Sequence, residues 1–124
     1  MPRKIYLIFS LFLICINFNS KTITEDIESK EKRSNIIFDR FVQYISAYKE
    51  LQANEIMIHT AKFFIGSPYV ASTLEQQEGE RLVVNLVEFD CTTFVETCMA
   101  LTLTTISDEL TFERFKGNLQ LIRY

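Results

Sequence analysis

Little in this chain bends it or staples it. Its 124 residues include only 3 Gly and 2 Pro, too few for the many tight turns of a sandwich or barrel, so helices are favoured. One His and 3 Cys are too few for a zinc cage at the usual spacings, and nothing in the sequence implies another cofactor. Excess charge of one sign is also small: 13 Lys and Arg against 16 Asp and Glu give a net charge of -3. Such a chain exerts no long-range pull on phosphate backbones, which makes nucleic acid an unpromising partner. What the chain does have is apolar mass. Hydrophobic residues make up 48% and charged residues 23%, which suits one globular domain with a core and leaves no room for a second.

The amino terminus has the layout of a secretory signal peptide over residues 1–20. Arg3 and Lys4 supply positive charge, and Ile5 to Phe18 follow as an apolar run broken only by Ser10 and Asn17. About 14 residues fall short of the roughly 20 that span a bilayer as a permanent helix. The expected location is therefore outside the cytoplasm, periplasmic or extracellular. A retained segment 1–20 is the single expected route to membrane contact, and Cys15 leaves with it on cleavage. Ile14, directly before Cys15, is bulky where lipoprotein processing requires a small residue. Residues 21–33 are polar and highly charged, with Ile23 and Ile27 their main apolar side chains, and read as a flexible leader to a domain over 34–124.

Within that domain Ser34 is the expected cap of a helix with Ile37, Phe41, Tyr44, Ile45 and Tyr48 on one stripe. Asn54 is the expected cap of a second helix carrying Met57, Ala61 and Phe64, which stops at Gly66 before Pro68. Arg81 to Val87 is rich in branched residues and reads as a strand. Asp90 caps a third helix from Cys91 to about Leu103, presenting Phe94, Val95, Cys98 and Leu101 to neighbours. A last helix opens at Ser107 or Asp108 and aligns Phe112, Phe115 and Leu119. One strand needs partners for its backbone groups, yet the only other candidate is a fragment near Tyr69 to Thr73. The expectation is an N-terminal part of a larger domain, with more sheet-forming sequence to follow.

Chemistry points to Phe89-Asp90-Cys91-Thr92-Thr93-Phe94-Val95-Glu96, where a cysteine opens a helix. Unpaired N–H groups and the helix dipole favour negative charge at that position, and the thiolate is the nucleophilic form. A backbone N–H at the same helix start can donate to a developing oxyanion. Placement alone leaves Cys91 open to either role, packing or catalysis. Cys98 lies seven residues on, about 10.5 Å along a helix, beyond the ~7 Å between bridged Cα atoms, so the two do not pair. It reads as a buried core thiol. Asp90 is most simply the cap, Thr92 and Thr93 are pocket-wall candidates, and Glu96 is expected in solvent. His59 sits at the margin of an apolar stripe and reads as a packing histidine.

Taken together, Gly66-Ser67-Pro68-Tyr69-Val70-Ala71, Thr73-Leu74-Glu75, Leu82-Val83-Val84-Asn85-Leu86, Asp90 to Glu96 and the closing Leu119 to Tyr124 resemble a known family. It is the N-acetylmuramoyl-L-alanine amidase-like group of unknown function, within the NlpC-type papain-like cysteine hydrolases of bacterial cell walls. The likeness runs over residues about 54 to 124. It implies an α+β, papain-like fold in which the nucleophile helix packs on an antiparallel sheet, most of which is missing from this chain. It also implies Cys91 as nucleophile, Tyr69 as a residue lining the active site and helping to hold the oxyanion, and Asp90 as a contact to an amino group of a peptide stem. The implied substrate is peptidoglycan or a muropeptide, cut at an amide bond. Thr92 and Ala71 depart from the Ser and Trp usual in NlpC-type peptidases and point to the amidase-like branch. The resemblance places the catalytic histidine well downstream of the cysteine, so a chain ending at Tyr124 is expected to be inactive alone. The alternative is a non-catalytic exported helical module that binds a partner.

Overall fold

The computed structural model describes residues 25–71, 74 and 81–124. The proposed signal peptide, with Cys15, and the expected polar loop over 75–80 lie outside the described residues. Four helices account for about 65% of what is described: α1 over 25–45, α2 over Ala53–Phe63, α3 over Cys91–Ile106 and α4 over Phe112–Arg123. None of them is long and apolar enough to cross a membrane.

The buried stripe of α1 organises the core. Phe41 and Ile45 are fully buried, with Ile37, Tyr44 and Tyr48 packed partly against them, as the spacing predicts. Phe38 joins that face and reaches α4, where its ring stacks 5.9 Å from Phe115 and meets Phe112 edge-on at 5.5 Å. Phe41 contacts α2 instead, lying 5.4 Å from Phe63 and 6.4 Å from Phe64 between ring centres. Helix α3 then packs against both α2 and α4, closing the group.

Several expected boundaries move. Residues 25–33 are helical rather than a loose leader, because Lys30 and Glu31 have tertiary partners: Lys30 pairs with Glu88 at 3.0 Å and Glu31 with Lys116 at 3.3 Å. Ser34 is consequently an interior position of α1, fully buried. Helix α2 is capped two residues earlier than Asn54, by a reciprocal box in which the Gln52 N–H donates to Glu55 Oε2 at 3.2 Å. Its buried residues are Ile56 and Thr60, not Met57 and Ala61. Helix α4 starts later than Ser107, with Thr111 as its cap accepting from the Arg114 N–H at 3.2 Å. Phe115 and Leu119 are buried there as expected.

The larger correction concerns fold class. The described residues contain no strand and no sheet, so the α+β, papain-like arrangement expected from the family likeness is overturned. Residues 81–85 carry no regular secondary structure, and side chains replace strand neighbours as partners for this segment and the residues after it. Arg123 Nη1 donates to the Val83 carbonyl, Ser34 Oγ accepts from the Leu86 N–H at 2.9 Å, and Asn85 Oδ1 accepts from Val87 N–H at 2.9 Å and Glu88 N–H at 3.2 Å. Among the described residues the one β-type contact is an isolated parallel bridge between Tyr69 and Phe89. Branched residues at 82–87 bury Val84 and Leu86 against helices instead of against a sheet.

Candidate functional site

Two short connections converge at the start of α3. After α2 the chain tightens through residues 64–66 and turns at Gly66, whose φ of 94° is the left-handed geometry that favours glycine. Pro68 and Tyr69 follow. The Phe89 N–H donates to the Pro68 carbonyl at 3.1 Å, and the Val70 N–H donates to the Phe89 carbonyl at 3.0 Å. Those two bonds bracket Tyr69 and hold it beside the strandless segment that runs into Asp90 and Cys91.

Asp90 caps α3 as the sequence predicts. Its Oδ1 accepts from the Thr93 N–H at 2.8 Å, while the Asp90 N–H donates to Thr93 Oγ1 at 3.0 Å. Side chain and backbone thus satisfy each other's otherwise orphaned donors. The box fixes the first turn, and with it the direction in which Cys91 leaves the backbone. Cys91 is an exposed free thiol and Cys98 a buried free thiol, so no disulfide joins them. Burial pushes the Cys98 thiol up to about 11, by loss of the water that would stabilise its thiolate. The two cysteines of one helix therefore sit in opposite environments, one open to reagents and one sealed.

Cys91 opens onto a shallow, open pocket of about 270 Å³. Its walls are the rings of Phe64, Phe89, Phe94 and Pro68, and its polar rim is Ser67, Tyr69, Asp90 and Cys91. Phe89 anchors the floor edge-on to Phe64 at 5.1 Å and to Phe94 at 5.8 Å. Of the residues singled out from sequence, Cys91, Tyr69 and Asp90 meet here. Thr92 and Thr93 do not line the pocket: Thr92 is exposed, and Thr93 is buried with its hydroxyl in the capping box. Sequence reasoning missed Phe64, Phe89 and Phe94 as walls. Phe94 was legible as three residues beyond Cys91 on a helix and Phe89 as its neighbour in the same local motif, but Phe64 joins them only through the turn at Gly66 and the Tyr69 bridge.

Glu96 also departs from expectation. Instead of facing solvent it receives the Arg123 Nε at 2.7 Å, and the same guanidinium holds the Val83 carbonyl. This ties α3, α4 and the approach to Asp90 together. His59 is a packing residue, as its position at a stripe margin predicts. Its ring stacks on Tyr48 with centres 3.7 Å apart, Nδ1 lies 3.5 Å from Tyr44 Oη, and it does not line the pocket. Among the described residues, no group of three or more His, Cys, Asp or Glu is placed to hold a metal ion.

The arrangement offers an accessible thiol, helix-start N–H groups, a tyrosine hydroxyl and a carboxylate around one apolar hollow. A family model described as N-acetylmuramoyl-L-alanine amidase-like (AmiA-like) matches residues 59–124, more than half of the chain and every residue of this pocket. No curated protein and no solved structure matches the chain. The chain accordingly belongs to the N-acetylmuramoyl-L-alanine amidase-like family and carries a peptidoglycan-related, hydrolase-like domain.

Proposed function

We propose that this domain serves cysteine-dependent cleavage of a muropeptide amide in the bacterial envelope, periplasmic or extracellular, with Cys91 as nucleophile. The observation that carries the proposal is the convergence of Cys91, Tyr69 and Asp90 on one pocket at the first turn of α3, in a chain of an amidase-like family. The Cys91 thiolate adds to the amide carbonyl. Backbone N–H groups of the first turn and the Tyr69 hydroxyl stabilise the oxyanion. Collapse breaks the C–N bond, the amine departs with a proton, and the acyl group stays on sulfur as a thioester. Water then hydrolyses the thioester to a carboxylic acid and restores the thiol. Asp90, at the rim, is placed to receive an amino group of the peptide stem. Export rests on the apolar run Ile5 to Phe18 and on the extracytoplasmic location of the substrate.

The proton steps call for a histidine-like acid and base, and no histidine is among the described residues that line the pocket. His59 is the chain's one histidine, and it is occupied between α1 and α2. The 124 residues alone are therefore expected to react at Cys91 without sustained turnover. The test is alkylation by iodoacetamide near neutral pH, followed site by site by mass spectrometry. Support is Cys91 reacting at least about tenfold faster in the folded chain than in the same chain in urea. Equal or slower reaction in the folded state refutes a nucleophile activated by the fold.

A second reading, a non-catalytic exported helical binding module, draws on one specific observation. The outer face of α3 leaves Val95, Met99, Leu103 and Ile106 exposed. It is the reading that stands if folding confers no reactivity on Cys91.

A further inference from the structure

We infer that residues 25–33, the first turns of α1, form an ionic strap: two ion pairs dock it beside the candidate site, and salt releases it. The first observation is what this stretch lacks. Among the described residues the hydrophobic core begins at Ile37, and residues 25–33 contribute no buried side chain. Charge holds the stretch to the rest of the fold. Lys30 Nζ lies 3.0 Å from Glu88 Oε1, and Glu31 Oε1 lies 3.3 Å from Lys116 Nζ. All four side chains are between 22% and 37% exposed, so water and ions reach both pairs. The second observation is the space beneath the strap. A groove of about 400 Å³ separates Glu28, Lys32 and Asn35 of α1 from Phe112 on α4, and no apolar side chain of residues 25–33 lines it.

Undocking strands neither lysine, because each has a second carboxylate on its own helix. Lys30 has Asp26 at 3.4 Å, and Lys116 has Glu113 at 3.0 Å with the Phe112 ring beneath it. The two carboxylates left behind, Glu88 and Glu31, turn to water. Docked and released states are therefore close in free energy, and a helix end without tertiary contacts frays. Docking matters to the site through Glu88. It adjoins Phe89, whose N–H and carbonyl bond Pro68 and Val70 on either side of Tyr69, and it stands two residues before Asp90. The strap braces the junction from which Tyr69 and the first turn of α3 reach the pocket. Salt thus acts on the pocket through its supporting segment, whatever chemistry Cys91 performs there.

The test is amide hydrogen exchange of the full chain, followed by mass spectrometry in NaCl from about 0.01 M to 1 M, over which the screening length falls from about 30 Å to about 3 Å. Amides 29–33 bond to carbonyls within 25–29 and report the strap directly. They are expected to exchange at least about fivefold faster at the high-salt end, and the Val70 and Phe89 amides about threefold faster, while α3 amides 97–106 change less than about twofold. Glu88→Gln combined with Lys116→Met breaks both pairs without altering the sequence of α1. In that variant exchange at 29–33 is expected to be fast at low salt and to gain nothing from added NaCl. If the double variant fails to protect α3, the salt series on the parent and on Glu88→Gln alone decides the matter. Exchange at 29–33 that ignores salt in the parent, or protection there that survives loss of both pairs, overturns the strap. Release that leaves Val70 and Phe89 unchanged overturns its link to the site. The nucleophile reading stands or falls separately, on the iodoacetamide rates.

Discussion

Replacing Ser34 by Ala isolates the bond that takes over the work of a sheet neighbour. Ser34 is 0% exposed in the interior of α1, and its Oγ accepts from the Leu86 N–H at 2.9 Å across 52 residues of sequence. Alanine removes the acceptor from a fully buried position, so the Leu86 N–H is stranded. An unsatisfied buried donor costs roughly 1–3 kcal/mol. Ala is also the better helix former, by about 0.5 kcal/mol at an interior position, which offsets part of the loss. The net expectation is a destabilisation of roughly 0.5–2.5 kcal/mol. With a urea slope of about 1–1.5 kcal/mol/M for a domain this small, the midpoint falls by about 0.3–2.5 M with the slope unchanged. Urea melts followed by far-ultraviolet circular dichroism measure this directly. Ser34→Thr separates the bond from the volume, because it keeps the hydroxyl while adding a methyl to a filled site. An Ala variant as stable as the parent, or more stable, refutes the claim that segment 81–87 is held through Ser34. The same experiment bears on the site, since that segment delivers Asp90 and Cys91 to the pocket. Cys91 labelling in Ser34→Ala is expected to approach the urea-unfolded rate at urea concentrations where the parent still resists.

Three further outcomes follow from the geometry. Asp90→Ala removes the α3 cap and is expected to cost about 0.5–2 kcal/mol, with Asp90→Asn losing less because Asn also caps; thermal unfolding of the two variants reads the difference. Arg123→Ala strands Glu96, in a pair whose side chains are only 6% and 19% exposed, and is expected to cost several kcal/mol. Lys49→Ala, from the open pair with Glu50, is expected to stay within about 0.5 kcal/mol of the parent; comparable effects in urea melts would contradict the burial argument. Alkaline pH is the third perturbation. The Cys98 thiol is raised from 9.0 to about 11 in the folded chain, so the unfolded chain ionises first and stability declines as pH rises from about 9 to 11. Lys30 and Lys116, raised by their carboxylate partners, act in the same direction. Cys98→Val is expected to flatten part of that decline in urea midpoints taken across the window, and an unchanged slope would remove Cys98 from the account.

Legibility in the sequence followed where the competing physics was local. The cap at Asp90 and the turn at Gly66 are decided by side chains within three residues and by a left-handed φ, and both were readable. The α1 stripe was readable because polar residues on the opposite face left a clear period. Helix α3 yielded only in part: Cys98 and Leu101 are buried as the stripe predicts, but apolar residues also lie on its outer face, so Val95 is half exposed where it was expected inward, and Thr97, Thr102, Thr104 and Thr105 are buried. The threonines tolerate burial by returning their hydroxyls to the helix: Thr102 donates to the Cys98 carbonyl at 2.7 Å, Thr104 to Ala100 at 2.7 Å and Thr105 to Leu101 at 2.8 Å. Once its hydroxyl is satisfied, a threonine presents a methyl, and a pattern based on polarity reads it on the wrong face. Segment 81–87 failed for a related reason. Branched residues mark a chain that is extended and half-buried, and sheet membership is a separate matter of which groups meet its N–H and C=O. Here those groups are Ser34, Asn85 and Arg123, at separations of 52, two or three, and 40 residues from the atoms they hold. The pocket inherits that distribution: Cys91 and Asp90 come from one local motif, but Tyr69 and Phe64 join them only because long-range side-chain bonds hold the connecting segment in place.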